Sequence, residues 1–305
     1  MKVIEEYMNM LGIDDMPDML KKYLMTPNLL RLKNVGYFCG MDYASLDVYD
    51  FKEKISRYDH SLTVALLTWK FTKDIRATLA GLFHDISTPC FSHVIDYMNK
   101  DYDKQESTEE KTEEIIRRDK YLLDCLDSDG ISVEEIIDFK KYTIEDLDRP
   151  MLCSDRLDGI ILTGMFWTKS IDLYDVKNII DDLVVITNED GQYEIGVRSI
   201  DIAKLLVDTS RIIDVYCHSK EDNYMMELLA YITKRAIDIG IVSYDELFII
   251  DEEELMNRLN NSCDMEIMSS LYLFKNIDVK DIPNIDMPSV KVRKLNPLIG
   301  NKRFV

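Results

Sequence analysis

Apolar residues recur at helical spacing along most of the chain. The run HSLTVALLTWKFT (60–72) is apolar on most sides and predicts a buried helix, and DIRATLAGLFHD (74–85) predicts another. Segment 107–126 opens with acids and then carries Ile115, Ile116, Leu122, Leu123 and Leu126. Its Ser107 and Glu110 have the spacing of a capping box, and its early acids suit the helix dipole. Segment 132–142 opens in the same way, and 149–167 reads as a long buried helix with embedded charges. Further helices are predicted over 198–218, 221–240, 244–260 and 264–274. One stretch breaks the pattern: DLVVITNEDGQYEIGV (182–197) has β-branched runs on both sides of Asp190-Gly191, a hairpin signal with type I′ turn residues. PSVKVRKL in the tail predicts a strand beside that hairpin. The expected class is all-α: a helical bundle over 1–240 with a small β-hairpin insertion near 182–197, then a helical C-terminal extension and basic tail over 241–305.

Composition narrows the function. The chain has 305 residues, of which 46% are apolar and 31% charged, as in an ordinary folded protein. A formal net charge of -20 repels phosphate backbones and anionic lipid, which argues against duplex nucleic acid or a membrane as partner. A small anion still binds where a local basic pocket or a metal cancels the field. The six cysteines are widely spread with no CxxC pair, as expected of reduced thiols. The N-terminal MKVIEEYMNM has no long apolar core of a signal peptide, and no run reaches the ~20 apolar residues of a membrane span. A cytoplasmic location is expected.

The chain has only four histidines, and two fall in GLFHDISTPCFSH (81–93). His60 follows Arg57 by three residues at a helix start. His84 and Asp85 end the next apolar helix, and Asp155 lies inside the apolar segment 149–167. A buried carboxylate is costly unless it is paired or bound to a cation, and imidazole with carboxylate suits a divalent transition metal. The same residues also fit a plainer reading, with hydrogen-bonded core histidines and Asp155 paired to Arg156 or Arg57.

Four motifs then occur in order: RYDHSL (57–62), GLFHDI (81–86), FSHVID (91–96) and SDRLD (154–158). This series resembles the HD-domain superfamily of metal-dependent phosphohydrolases, and in detail its deoxynucleoside triphosphate triphosphohydrolase (dGTPase-like) branch. The resemblance covers about residues 25 to 240. It implies an HD-type helical domain in which His60, His84, Asp85 and Asp155 bind one divalent ion (Mn, Mg, Fe, Ni or Zn) and activate water for attack on phosphorus. It implies His93 and Asp96 as a catalytic proton-handling pair and Arg57 as a phosphate contact. Further substrate-contact candidates are Gln105, Glu106, Arg156, His218 and Lys220, the last two from VYCHSK (215–220). Manganese and a nucleotide are the implied metal and substrate class, and self-association is a further expectation.

The chain departs from the branch in three places. Thr88 stands where a histidine is often found, Gln105-Glu106 stands where a His-Glu pair is expected, and Gly159 replaces an aromatic residue after D-x-x-D. A mononuclear metal site is expected, with the substrate shell altered. The basic tail over 287–305 carries five basic residues and no acid, and it is read as a packing or subunit-contact strand rather than a phosphate site. The main reading is therefore a phosphohydrolase acting on a nucleotide or similar ester or anhydride. Two alternatives are a regulatory module that binds metal and nucleotide with little turnover, and an acidic helical interaction protein.

Overall fold

The structure is a computed structural model that describes residues 2–102, 107–284 and 290–304. Its elements in chain order are α1 (Val3–Leu11), α2 (Asp18–Lys21), α3 (Pro27–Arg31), α4 (Arg57–Thr72), α5 (Ile75–Phe83), α6 (Val94–Asn99), α7 (Thr112–Arg118), α8 (Lys120–Asp129) and α9 (Glu134–Ile137). They continue with α10 (Ser154–Phe166), α11 (Leu173–Asp182), β1 (Leu183–Thr187), β2 (Tyr193–Val197), α12 (Ile200–Cys217), α13 (Lys220–Asp238), α14 (Glu252–Asn260), α15 (Met265–Asn276), β3 (Leu298–Ile299) and β4 (Lys302–Arg303). The fold is mostly helical, with one small sheet. No helix among the described residues is long and apolar enough to cross a membrane.

The central helix is α4. Ser56 caps it by accepting from the Asp59 amide, and Asp59 Oδ2 accepts from the Ser56 amide at 2.9 Å. Leu62, Val64, Ala65, Leu66 and Leu67 are all buried, so the helix has almost no solvent face. Asp74 caps α5 by accepting from the amides of Arg76 and Ala77. Gly81 lets α5 approach closely, because a Cβ there would lie 3.3 Å from Val64 Cγ1 and 3.1 Å from Glu145 Cγ.

Two apolar cores divide the molecule. The first joins α1, α4, α5, α10, α11 and α12 and takes in Leu295 of the tail. The second is built from Met41–Tyr49, Cys90–Tyr97, α13, α14, α15 and Val290. It therefore draws on residues from both sides of the expected division at 240.

The helix bounds differ from the sequence pattern for local reasons. Segment 107–126 forms two helices, because Asp119 turns to an extended conformation and caps α8 by accepting from Leu122. The Ser107–Glu110 capping box is not formed; the Ser107 amide donates to Asp96 instead. The expected helix 149–167 begins only at Ser154, after a turn through Asp148–Met151.

The hairpin is present, but its loop is longer than a two-residue turn. Thr187 pairs with Tyr193, and Asn188 Oδ1 accepts from the amides of Asp190 and Gln192. The tail does add strands beside the hairpin, at 298–299 and 302–303 rather than at 290–295, while Pro288 and Ser289 of the expected PSVKVRKL strand lie outside the described residues. Val197 pairs parallel with Ile299, giving the order β1-β2-β3-β4. Arg303 locks this sheet by pairing with the fully buried Glu194 and with Glu189 at 2.8 Å. Before reaching the sheet, the tail crosses α12: the Arg293 amide donates to Asp214 at 2.7 Å, and the Asn296 amide to the Pro150 carbonyl at 2.9 Å.

Candidate metal centre

His60 projects from the first turn of α4, His84 and Asp85 follow the end of α5, and Asp155 sits in the first turn of α10. The ligand atoms of His60, His84 and Asp155 all lie within 4.8 Å of one another. His60 Nε2 is 3.1 Å and His84 Nε2 3.7 Å from the same oxygen, Asp155 Oδ1. Asp85 joins the cluster, 3.9 Å from His60 Nε2 and 3.8 Å from His84 Nε2. The His60 side chain is 3% exposed and that of Asp155 40%, so the cluster opens to a ligand on the Asp155 side.

The donor chemistry fits a divalent cation. His60 Nδ1 lies 2.7 Å from Asp158 Oδ2, and His84 Nδ1 lies 2.7 Å from the Gly81 carbonyl. A carbonyl only accepts, so His84 Nδ1 carries the proton and Nε2 presents its lone pair to the cluster. The carboxylate on His60 enforces the same tautomer. Outer partners of this kind accompany most metal-bound histidines.

Asp158 is fully buried and also accepts from Tyr7 Oη at 2.7 Å and Thr63 Oγ1 at 2.8 Å. Burial alone would depress His60 basicity, yet its bonds to Asp155 and Asp158 lift its pKa to about 10. The cluster thus favours positive charge at this point. Asp85 is held below the usual carboxylate range: burial raises it, but His84, Arg57 and His60 together prevail.

Arg57 is buried one turn before His60. Its Nη1 donates to Asp85 Oδ2 at 2.9 Å and its Nε to Ser92 Oγ at 3.1 Å, while its guanidinium lies 5.1 Å from the centre of the Tyr37 ring. His93 precedes α6, and its Nδ1 lies 2.8 Å from Asp96 Oδ2. Asp96 is fully buried, and its other oxygen accepts from the Ser107 amide.

Arg57, His60, His84, Asp85, His93 and Asp155 all line one cavity of about 780 Å3. One end is aromatic, with Tyr37, Phe38, Tyr49, Phe51 and Trp167. There Asp222, which accepts from Tyr49 Oη at 2.7 Å, is pushed up by burial to about 6.

The other candidates fall in different places. Arg156 lines the cavity, but its two terminal nitrogens donate to the carbonyls of Met151 and Leu147 and so hold the 147–151 turn. His218 and Lys220 are not brought to the cavity. Ser219 caps α13 between them, His218 Nδ1 is tied to the Asp214 carbonyl, and Lys220 reaches toward the Ile282 carbonyl. Gln105 and Glu106 lie outside the described residues, while Thr108 and Glu109 just beyond them do line the cavity. Thr88 is buried away from the cavity wall, and its carbonyl accepts from Arg31 at 2.6 Å.

Several residues of the site carry no signal in the sequence pattern. Lys291, Arg293 and Lys294 line the cavity, so the basic tail is part of the site as well as a packing element. Only their basic character in an acidic chain hints at it. Arg149 and Lys140 join them on the lining. Glu145 also lines it, with a fully buried carboxyl whose two oxygens have no partner among the described residues. Tyr37 lies beside Gly159: its Oη is 3.4 Å from where a Cβ on Gly159 would be.

Comparisons with known proteins agree with this geometry. The family model described as HD domain matches residues 57–160, the stretch that holds all four candidate ligands together with His93 and Asp96. The chain therefore contains an HD domain. It is 29% identical over 257 residues to the uncharacterized protein YdhJ of Bacillus subtilis, covering 83% of this chain and 74% of that one. It is 21% identical over 252 residues to the metal-dependent phosphohydrolase cns2 of Cordyceps militaris, covering 80% and 71%. A crystal structure of a hypothetical protein from Aquifex aeolicus has the same fold, with a TM-score of 0.61 at 18% identity over 85% of this chain and 71% of that one.

Proposed function

We propose that this chain is a metal-dependent phosphohydrolase of a small phosphorylated molecule, with a nucleotide as the substrate class. One observation carries the reading: two histidines with Nδ1 already committed turn Nε2 toward Asp155, in the same cavity as the His93–Asp96 pair. His60, His84, Asp85 and Asp155 would hold one divalent ion, with Mn, Mg, Fe, Ni and Zn all matching a mixed imidazole and carboxylate shell. Bound there, the ion supplies Lewis acidity toward a phosphoryl oxygen and a lowered pKa for water.

The chain's own residues do the rest. Arg57 spends Nη1 on Asp85 and Nε on Ser92, which leaves Nη2 for a phosphoryl oxygen. Asp96 fixes the His93 ring through Nδ1, so Nε2 exchanges a proton with water or with the leaving oxygen. The aromatic end offers flat apolar surface to a base, with the Asp222 carboxyl as a polar reader. Tyr37 beside Gly159 supports the nucleoside triphosphate version of this reading, because the missing ring is restored from another part of the chain. All six cysteines are free thiols, which supports a cytoplasmic setting.

The test is phosphorus NMR of mono-, di- and triphosphates of ribo- and deoxynucleosides incubated with the purified protein and Mn(II). A tripolyphosphate resonance supports the triphosphohydrolase version, and orthophosphate alone supports a phosphatase. No new resonance with metal bound overturns hydrolysis in favour of a regulatory role.

A further inference from the structure

The strongest unexplained feature is positive charge concentrated on one wall of the cavity in a chain of net charge -20. Arg149 and Arg156 come from the turn before α10 and from its first turn; Lys291 and Arg293 come from the tail strap laid across α12. These groups feel one another. Burial lowers the basicity of Arg149, and the charges of Arg156 and Arg293 lower it further, to about 10. Lys291 is lowered by burial and then by Arg149 and Arg293. Asp155 acts on both Arg149 and Lys291, so the cluster stands beside the metal centre rather than at a remote surface.

Arginines packed this way normally sit among carboxylates. Among the described residues, Arg149, Arg156 and Arg293 form no ion pair, although 57 acids are available in the chain. Their hydrogen bonds go to main-chain carbonyls: Arg149 to Val292 at 3.3 Å, Arg293 to Lys291 at 3.3 Å, and Arg156 to Leu147 at 2.8 Å. Those bonds place the guanidinium groups, while the nearby carboxylates, Asp155 for Arg149 and Asp222 and Asp214 for Arg293, act on them without a direct ion pair. Holding like charges together in a partly dry cavity costs free energy that an incoming anion would return.

We propose that Arg149, Lys291 and Arg293 form a second anion subsite, which seats a phosphate next to the one that faces His60, His84 and Asp155. The inference rests on the phosphohydrolase reading of the cavity and adds to it a substrate class: molecules carrying two or more linked phosphates. The tail strap is then a specificity element, and single phosphates engage only the metal side.

The test is isothermal titration of the Mn(II)-loaded protein, and of the metal-free protein, with orthophosphate and with methylenediphosphonate, a diphosphate that cannot be hydrolysed. The wild type is expected to bind the diphosphonate at least about tenfold more tightly in both forms, since charge-assisted hydrogen bonds are the strong ones. The double variant Arg149→Gln, Arg293→Gln keeps N–H donors for the two carbonyls and removes the charge. It should erase most of that preference. A wild type without preference, or a preference that survives in the variant, overturns the subsite. If the variant does not fold, the salt dependence of the two wild-type affinities decides. A steeper slope for the diphosphonate is expected, and equal slopes overturn it. Turnover plays no part in this readout. A protein that prefers diphosphonate yet hydrolyses nothing would sink the proposed function and leave the subsite standing.

Discussion

Asp158 touches no candidate ligand position itself except through the far side of His60, yet the geometry makes it decisive for metal affinity. Its carboxylate accepts from His60 Nδ1, Tyr7 Oη and Thr63 Oγ1 at 2.7, 2.7 and 2.8 Å, fully out of solvent. In Asp158→Asn one oxygen becomes an NH2 donor. The amide places its NH2 toward Tyr7 Oη, which can rotate and accept, and its carbonyl toward His60 Nδ1 and Thr63 Oγ1. The imidazole then keeps its tautomer and loses the negative charge behind it. That weakens a candidate ligand through its partner, for which the usual cost is roughly ten- to a hundred-fold in metal affinity. At about 1.4 kcal/mol per factor of ten, that is roughly 1.4–2.8 kcal/mol of binding. A buried donor left unpaired adds about 1–3 kcal/mol of lost stability in the metal-free protein. Titration with Mn(II) followed by electron paramagnetic resonance gives the affinity, and urea unfolding of the metal-free protein gives the stability. Unchanged Mn(II) affinity in a folded Asp158→Asn protein would refute the argument that the carboxylate behind His60 tunes it as a ligand.

Three further outcomes are expected. His93→Ala should retain Mn(II) and lose roughly two to four orders of magnitude in rate; full activity would remove His93 from the mechanism. Glu252 is buried, and burial raises it to about 7 against the bonds from the Gly36 and Phe91 backbone, the Phe91 amide donating to Oε1 at 3.0 Å. An acid whose folded pKa is raised stabilises the fold below its unfolded pKa near 4.5, and that stability is lost as pH rises through 7. Glu252→Gln should therefore unfold at higher urea than wild type at pH 8, with the gap closing toward pH 5; a gap independent of pH would count against it. Gly164→Ala should destabilise by about 1–3 kcal/mol, because its Cβ would lie 2.9 Å from Ile171 Cγ1 and from Thr209 Cγ2. Thermal unfolding measures this, and an unshifted midpoint would mean that α10 has room to move.

That His60, His84, Asp85 and Asp155 would meet was legible from the order of the four motifs, since the local pattern alone also allowed core histidines and an Asp155 paired to arginine. His60 follows a capping box, His84 and Asp85 end an apolar helix, and Asp155 is an acid in an apolar run. Helix bounds failed where a side chain chose a tertiary partner over a local one. Asp119 is an example, since it caps α8 and also accepts from Asn28 Nδ2 at 2.7 Å. The cavity's basic wall was legible only as an excess of basic residues in the tail. Arg149 and Arg293 are 144 positions apart, and what joins them is the path of the tail across α12, set by bonds such as that from the Arg293 amide to Asp214. Tyr37 beside Gly159 is a similar case: two residues 122 positions apart that meet in the fold leave no pattern within any short window.

The division into two cores has a consequence for how the chemistry is built. The candidate ligands ride on helices α4, α5 and α10, whose apolar faces belong to the first core, whereas Cys90–Tyr97, which carries His93 and Asp96, packs into the second. The candidate ion ligands and the proposed proton carrier therefore answer to separate reservoirs of stability. A fluctuation that loosens only the second core leaves a protein still able to capture its ion while the imidazole is out of register. On the proposed function, ion capture and turnover are then separable events with their own temperature dependence.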